Sequence, residues 1–143
     1  LAAGAAAHAD WTIAAQLNGD FTQAKAYEET LAYLQSSPAP DVVYCENDNM
    51  CFGVMQALDE RGIAYGDGGV TLISFDAGRT ALSYCKDGKI DLCAECNPLH
   101  GPRVRALIEQ LARGETPEKL SYMPEALFTA DTLTAEFLES RVY

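Results

Sequence analysis

The apolar run Val42-Val43-Tyr44-Cys45 breaks without a linker into Glu46-Asn47-Asp48-Asn49, and a helical pattern containing Gly53 follows at once. Few local structures satisfy such a junction. A buried strand has to end there, its carboxyl end presents polar side chains, and Asp48 or Asn49 is expected to cap the next helix. In open α/β sheets ligands bind at that edge. The plainer alternative is that Asn47 and Asp48 only make the turn and the cap, as Asn and Asp commonly do.

The junction recurs along the chain. Trp11 to Gln16 reads as a short strand closed by the turn Asn18-Gly19-Asp20. Phe21 to Gln35 carries Ala24, Tyr27, Leu31 and Leu34 at helical spacing, and Ser36-Ser37-Pro38-Ala39-Pro40 ends that helix. Asp48 to Arg61 is expected to be a helix with Cys51, Val54, Met55 and Leu58 inward, stopped at Gly62. Val70 to Phe75 reads as a buried strand with Asp76-Ala77-Gly78-Arg79 at its carboxyl end. A short helix over Thr80 to Cys85 and a strand over Ile90 to Cys96 follow, then Asn97-Pro98. Val104, Leu107, Ile108 and Leu111 mark one face of a helix ended by Gly114. A short strand near Leu120 to Met123 and a helical segment from Ala130 to Leu138 close the chain. Strands alternating with helices of this length predict a Rossmann-like α/β fold, a mostly parallel sheet with helices on both faces. Asn18, Asn47, Asp76 and Asn97 each follow a strand, so the topology can bring them to one rim.

Composition narrows the partners. At 143 residues with 48% apolar content the chain is one domain by length and unsuited to disorder. A formal net charge of −11 argues against a nucleic-acid partner and against an anionic membrane surface, both of which need a basic face. No apolar run reaches the roughly 18 residues of a membrane span. Leu1 to Ala7 lacks the basic flank of a signal segment and reads as the tail of a helix whose beginning is missing, so the chain is expected to be a fragment.

The five cysteines are an odd number. Cys93-Ala94-Glu95-Cys96 has CxxC spacing, but in a strand residues three apart point to opposite faces, and His8 and His100 are not at ligand spacing. Structural, reduced thiols are expected, in a reducing compartment or in a protein exported in an anoxic habitat, with no metal. Gly66-Asp67-Gly68-Gly69 precedes a strand, whereas a phosphate-cradling loop follows one and opens a helix.

A rim of Asn and Asp without a serine elbow, a metalloprotease motif or a lysine-bearing phosphate loop is poor in catalytic machinery. Asp48 and Asp76 remain a formal carboxylate pair for glycoside cleavage. Amides and carboxylates suit neutral polyhydroxyl ligands better, because a carboxylate accepts two hydroxyls while an amide donates and accepts. Phe21 or Tyr44 would cover the apolar face of a sugar ring, unless Phe21 is simply a core residue at a helix start.

Three strings, Asp41-Val42-Val43-Tyr44-Cys45-Glu46-Asn47-Asp48-Asn49-Met50, Val70-Thr71-Leu72-Ile73-Ser74-Phe75-Asp76 and Lys86-Asp87-Gly88-Lys89-Ile90, resemble those of the type I periplasmic sugar-binding proteins of ABC transporters in order and spacing. Glu95 to Leu99 and Leu127-Phe128-Thr129 resemble the galactofuranose-binding branch. The resemblance implies the C-terminal portion of a two-lobed clamshell that binds a monosaccharide, performs no chemistry, uses no cofactor and delivers its ligand to a membrane permease. It implies that Asn47 and Asp76 bind sugar hydroxyls and that Phe21 packs near the ring. The ribose-binding branch places a hinge Gln where this chain has Cys96, so Glu95 or Asn97 stands in for it. Residues of about 97–125, with the helix Leu99 to Arg113, would belong to the missing N-terminal lobe. The isolated chain would then fold that helix back or pair with a second copy. Localisation would be periplasmic or extracellular, through a lipid anchor where the absent N-terminus carries one. The rival on the same fold is the sugar-responsive effector domain of a LacI-type transcription repressor. A glycosidase ranks third.

Overall fold

Proline at 38 and 40 and the Asn18-Gly19 turn confine the first long helix to the stretch between them, and the computed structural model, which describes residues 2–143, shows the outcome. Helix α1 spans Ala2–Ala6 and α2 Gln23–Ser36; β1 is Val42–Tyr44, α3 Asp48–Glu60, β2 Thr71–Asp76 and α4 Arg79–Lys86. Then come β3 at Leu92–Glu95, α5 at Gly101–Ala112, β4 at Leu127–Phe128, a 3-10 turn at Ala130–Thr132 and α6 at Ala135–Ser140. The helical reading of Leu1 to Ala7 is met by α1; Leu1 lies outside the described residues.

The sheet runs β1-β2-β3-β4. Val42 pairs with Thr71 and Ile73 with Leu92, both parallel, while Cys93 pairs antiparallel with Phe128. This is the α/β class expected from the alternation. Leu72, Ser74 and Cys93 are fully buried, and Cys51, Leu58, Leu82, Cys85 and Ile90 pack the same core. The inward face expected for the second long helix, Cys51, Val54, Met55 and Leu58, is the face α3 buries. On α2 the buried stripe is Ala26, Thr30 and Leu34 rather than one through Ala24 and Leu31. A residue smaller than its neighbours wins there because α3 approaches closely: a Cβ on Gly53 would lie 2.2 Å from the Gln23 carbonyl oxygen.

Two expected strands do not form. Trp11 to Gln16 and Leu120 to Met123 are both irregular, with Trp11 and Ile13 exposed. A strand needs a hydrogen-bonded neighbour, and neither segment has one among the described residues. Instead Leu127–Phe128 pairs with β3, and Phe128 is buried against it. The closing helical segment divides into the 3-10 turn and α6, each with its own threonine cap, Thr129 and Thr134.

Cys45, Cys51, Cys85 and Cys93 are buried and Cys96 is exposed, all as free thiols. Cys93 donates weakly to the Ala81 carbonyl 3.8 Å away, on the face away from Cys96. Hydrogen bonding to a neighbouring thiol, Cys45 for Cys51 and Cys85 for Cys93, together with burial, pushes both thiols far above the usual range.

Candidate functional site

Because β1, β2 and β3 run parallel, their carboxyl ends share one edge; Asp76 ends β2 there, and Asn47 and Asn97 come shortly after β1 and β3. Asn47 rather than Asp48 or Asn49 caps α3: its backbone is extended (φ −157°, ψ 168°) and its Oδ1 accepts from Met50 N at 2.8 Å. Asp48 is already helical, and its side chain turns inward instead. The other end of the Asn47 amide donates to the Phe21 carbonyl oxygen at 3.2 Å, joining two residues expected at the site. Asp20 and Phe21 both adopt left-handed backbone, φ 48° and 53°, and the Phe21 side chain is 62% exposed. A core role for that ring is therefore excluded. Tyr44 lies against Phe75, ring centroids 5.0 Å apart.

The second left-handed pair is Asp76 and Ala77, φ 98° and 57°. Non-glycine residues held there cost on the order of 1–3 kcal/mol each and cluster where a fold positions ligands. Asp48 supports that turn. Its Oδ1 accepts from Ser74 Oγ at 2.5 Å and its Oδ2 from Gly78 N at 2.8 Å. Burial pushes the Asp48 carboxyl up, opposed by those hydrogen bonds, with nearby Asp76 adding to the rise. With both oxygens holding the loop, Asp48 is a poor partner for Asp76 in acid–base chemistry. Asp76 itself is exposed, its carboxyl raised by desolvation and partly drawn back by the Asp48 N–H. It faces a cavity of about 380 Å³ lined also by Asn49, Phe52, Arg79, Thr80 and Tyr143.

The remaining candidate is placed differently. Cys96 N donates to the Asp76 carbonyl at 3.3 Å, so Asn97 stands close to the edge. Its Oδ1, however, accepts from Leu99 N at 2.9 Å in a local turn, and it does not line the cavity. Glu95 is turned to structural partners: its Oε1 accepts from Arg141 and Tyr143 and its Oε2 from Ala126 N, and it does not line the cavity. Sequence reasoning missed the lining residues Asn49, Phe52, Arg79, Thr80 and Tyr143. Arg79 and Thr80 could be suspected from their place just after Asp76-Ala77-Gly78; Tyr143 arrives only through the return of the chain end, which no spacing announces.

The chain was compared with known proteins. Residues 2–111 match the family described as periplasmic binding protein domain. The galactofuranose-binding protein YtfQ of Escherichia coli K12 is 30% identical over 123 residues, 83% of this chain and 38% of that protein. The fructose import binding protein FruE of Bifidobacterium longum is 29% identical over 102 residues, 71% of this chain and 30% of that one. A Mycobacterium smegmatis crystal structure in complex with β-D-fucofuranose superposes with a TM-score of 0.83 at 30% identity, covering 92% of this chain and 43% of its own. The Caulobacter myo-inositol binding protein superposes at 0.81 with 26% identity, over 96% and 48%. The chain thus spans less than half the length of these relatives. The match over most of its length shows that the chain belongs to the periplasmic binding protein family.

Proposed function

We propose that this chain is the C-terminal portion of the substrate-binding component of an ABC-type sugar importer. It binds a monosaccharide in a cleft between two lobes and delivers it to a membrane permease, in the periplasm or outside the cell. One observation carries the reading: Asp76 leaves the carboxyl end of a parallel strand on a left-handed turn and faces an open cavity, while the Asn47–Phe21 contact lies outside that cavity's lining, past the carboxyl end of the neighbouring strand β1. In this role Asp76 accepts two sugar hydroxyls, the free proton of the Asn47 amide donates a third hydrogen bond, and the exposed Phe21 ring covers an apolar sugar face. Asn97 sits at the margin as a hinge residue. The relatives are named for galactofuranose and fructose, and one neighbouring structure holds a fucofuranose, which favours a furanose-forming hexose or pentose.

Residues 97–125 belong, in this reading, with the other lobe. Helix α5 contributes no buried residue, and Val104, Ile108 and Leu111 are each about half or more exposed (49%, 60% and 61%). The upstream lobe covers that face in the complete protein, and a second copy covers it in the isolated chain.

The test is titration calorimetry of the protein carrying both lobes against D-fucose, L-arabinose, D-fructose, D-ribose and myo-inositol, beside Asp76→Ala and Asn47→Ala. A lost hydrogen bond to a charged group weakens affinity roughly tenfold to hundredfold for Asp76→Ala. Binding indifferent to both substitutions, or no heat with any sugar, overturns the reading.

A further inference from the structure

A single peptide group connects Ala77 to Gly78, and its two ends are held by opposite charges. The N–H of Gly78 donates to Asp48 Oδ2 at 2.8 Å. The carbonyl oxygen of Ala77 accepts from Arg141 twice, Nη2 at 2.8 Å and Nε at 3.2 Å. A carboxylate at the N–H end and a guanidinium at the C=O end both lie along the peptide dipole in the favourable sense, so they oppose a flip of that peptide plane. The flip matters because the preceding residues, Asp76 and Ala77, sit at positive φ, where an alanine or aspartate stays only if its surroundings dictate it.

Arg141 is itself immobilised. It is buried, its Nη1 meets Glu95 Oε1 at 2.7 Å, and its guanidinium carbon stacks 3.8 Å above the Tyr143 ring, with Phe128 and Phe137 flanking it. Glu95 Oε1 also accepts from the Tyr143 hydroxyl, and Arg79 N donates to the Tyr143 carbonyl at 2.8 Å. The chain end is thereby tied to β3 and to the start of α4 at once. Arg79 closes the tie by donating from its side chain to the Arg141 carbonyl.

We propose that Arg141 is a positioning residue for the sugar site: by holding the Ala77 carbonyl against Asp48 on the other side of the peptide, it fixes the direction in which Asp76 meets the ligand. Glu95 orients Arg141, so the geometry of the site depends on a segment remote in sequence. The inference rests on the sugar-binding reading given above.

The experiment measures sugar affinity by calorimetry, in the protein carrying both lobes, for Arg141→Lys and Arg141→Ala, each alone and combined with Asp76→Ala; the probe is the tightest-binding sugar of the panel. Exchange of the Gly78 amide, read by NMR after glycine-specific ¹⁵N labelling, is followed in parallel. Arg141→Ala is expected to weaken binding about tenfold in the parent and to cost little more once Asp76 is already alanine, because it acts through that carboxylate. A residue that merely supported the fold would subtract the same amount in both backgrounds, and that outcome overturns the proposal. Arg141→Lys keeps one charged donor and should recover part of the affinity; it replaces Arg141→Ala if the latter does not fold. Should the parent bind none of the sugars, the functional reading falls, and the Gly78 amide decides the clamp separately: faster exchange in Arg141→Lys upholds it and unchanged exchange refutes it.

Discussion

Asn47 reaches across to Phe21: its Nδ2 donates to the Phe21 carbonyl at 3.2 Å while its Oδ1 caps α3 through Met50 N. One side chain thus starts a helix and ties down the left-handed turn that exposes the Phe21 ring. The two tasks separate chemically. Asn47→Asp keeps the capping acceptor and loses the donor, so stability should stay near that of the parent while sugar affinity falls. Asn47→Ala loses both and should cost about 0.5–2 kcal/mol of stability as well. Thermal unfolding beside calorimetry reads the difference; an Asn47→Asp protein with undiminished affinity would show that the Phe21 tie is irrelevant to binding.

At Gly53 α3 approaches the backbone of α2 closely. Alanine normally improves a helix interior over glycine by roughly 1 kcal/mol. Here its methyl group would sit 2.2 Å from the Gln23 carbonyl and 2.8 Å from Tyr27 N, so the two helices would have to separate. Overpacking of this kind typically costs about 1–3 kcal/mol, and we expect Gly53→Ala to be net destabilising with a Tm several degrees lower. An unchanged or raised Tm would mean that α2 yields without cost.

Glu95 gives the fold an acid-sensitive component. Burial would raise its carboxyl, but the hydrogen bonds from Tyr143 and Arg141, the Arg141 charge and the Ala126 N–H outweigh it and hold it below the usual range. A folded value below the unfolded one means that Glu95 stabilises the protein above the ordinary glutamate range and that this contribution is lost as pH falls through the folded value. Asp48 and Asp76 are shifted the other way, so their ionisation disfavours the fold and the overall acid profile mixes both signs. The difference between the parent and Glu95→Gln isolates the first effect. The Tm gap between them should be widest near neutral pH and should shrink as pH falls through and below the ordinary glutamate range; a gap that is constant with pH would refute it.

Thiol accessibility follows from packing. A thiol reagent should label Cys96 quickly in the native protein, and the other four cysteines only after denaturation. Rapid native labelling of more than one thiol would show that the core around Cys51 and Cys93 opens.

Helix α5 predicts an associating fragment. Alone, the chain should bind an apolar dye or run as a dimer in light scattering, and both behaviours should vanish when the upstream lobe is present. A strictly monomeric chain that binds no dye would count against the division at residues 97–125.

Periodicity and turn chemistry are local, which is why α2, α3, β1, β2 and α4 are legible in the sequence to within a residue or two, and why Asn47 and Asp76 are legible there as residues at strand ends. The pairing partner of a strand is not local. Trp11 to Gln16 has a strand composition but no neighbour among the described residues, whereas the two residues Leu127 and Phe128 become a strand because β3 offers an open edge. Capping shows the same limit on a smaller scale. Asn47, Asp48 and Asn49 are all chemically fit to cap, and the choice fell to Asn47 because Ser74 and Gly78, distant in sequence, draw Asp48 inward.

The sequence by itself therefore determined the fold class and the core alternation from α2 to α5, since these rest on spacing within a dozen residues or so, and its motifs carried the resemblance to sugar-binding proteins. Only the tertiary structure decided how Asp76 is held. The peptide after Ala77 is oriented by Asp48 on α3 and by Arg141 near the chain end, and Arg141 is oriented in turn by Glu95 on β3. Those groups are brought within hydrogen-bond reach by the packing of strands and helices, and direct electrostatic contacts of that range leave no periodic trace along the chain.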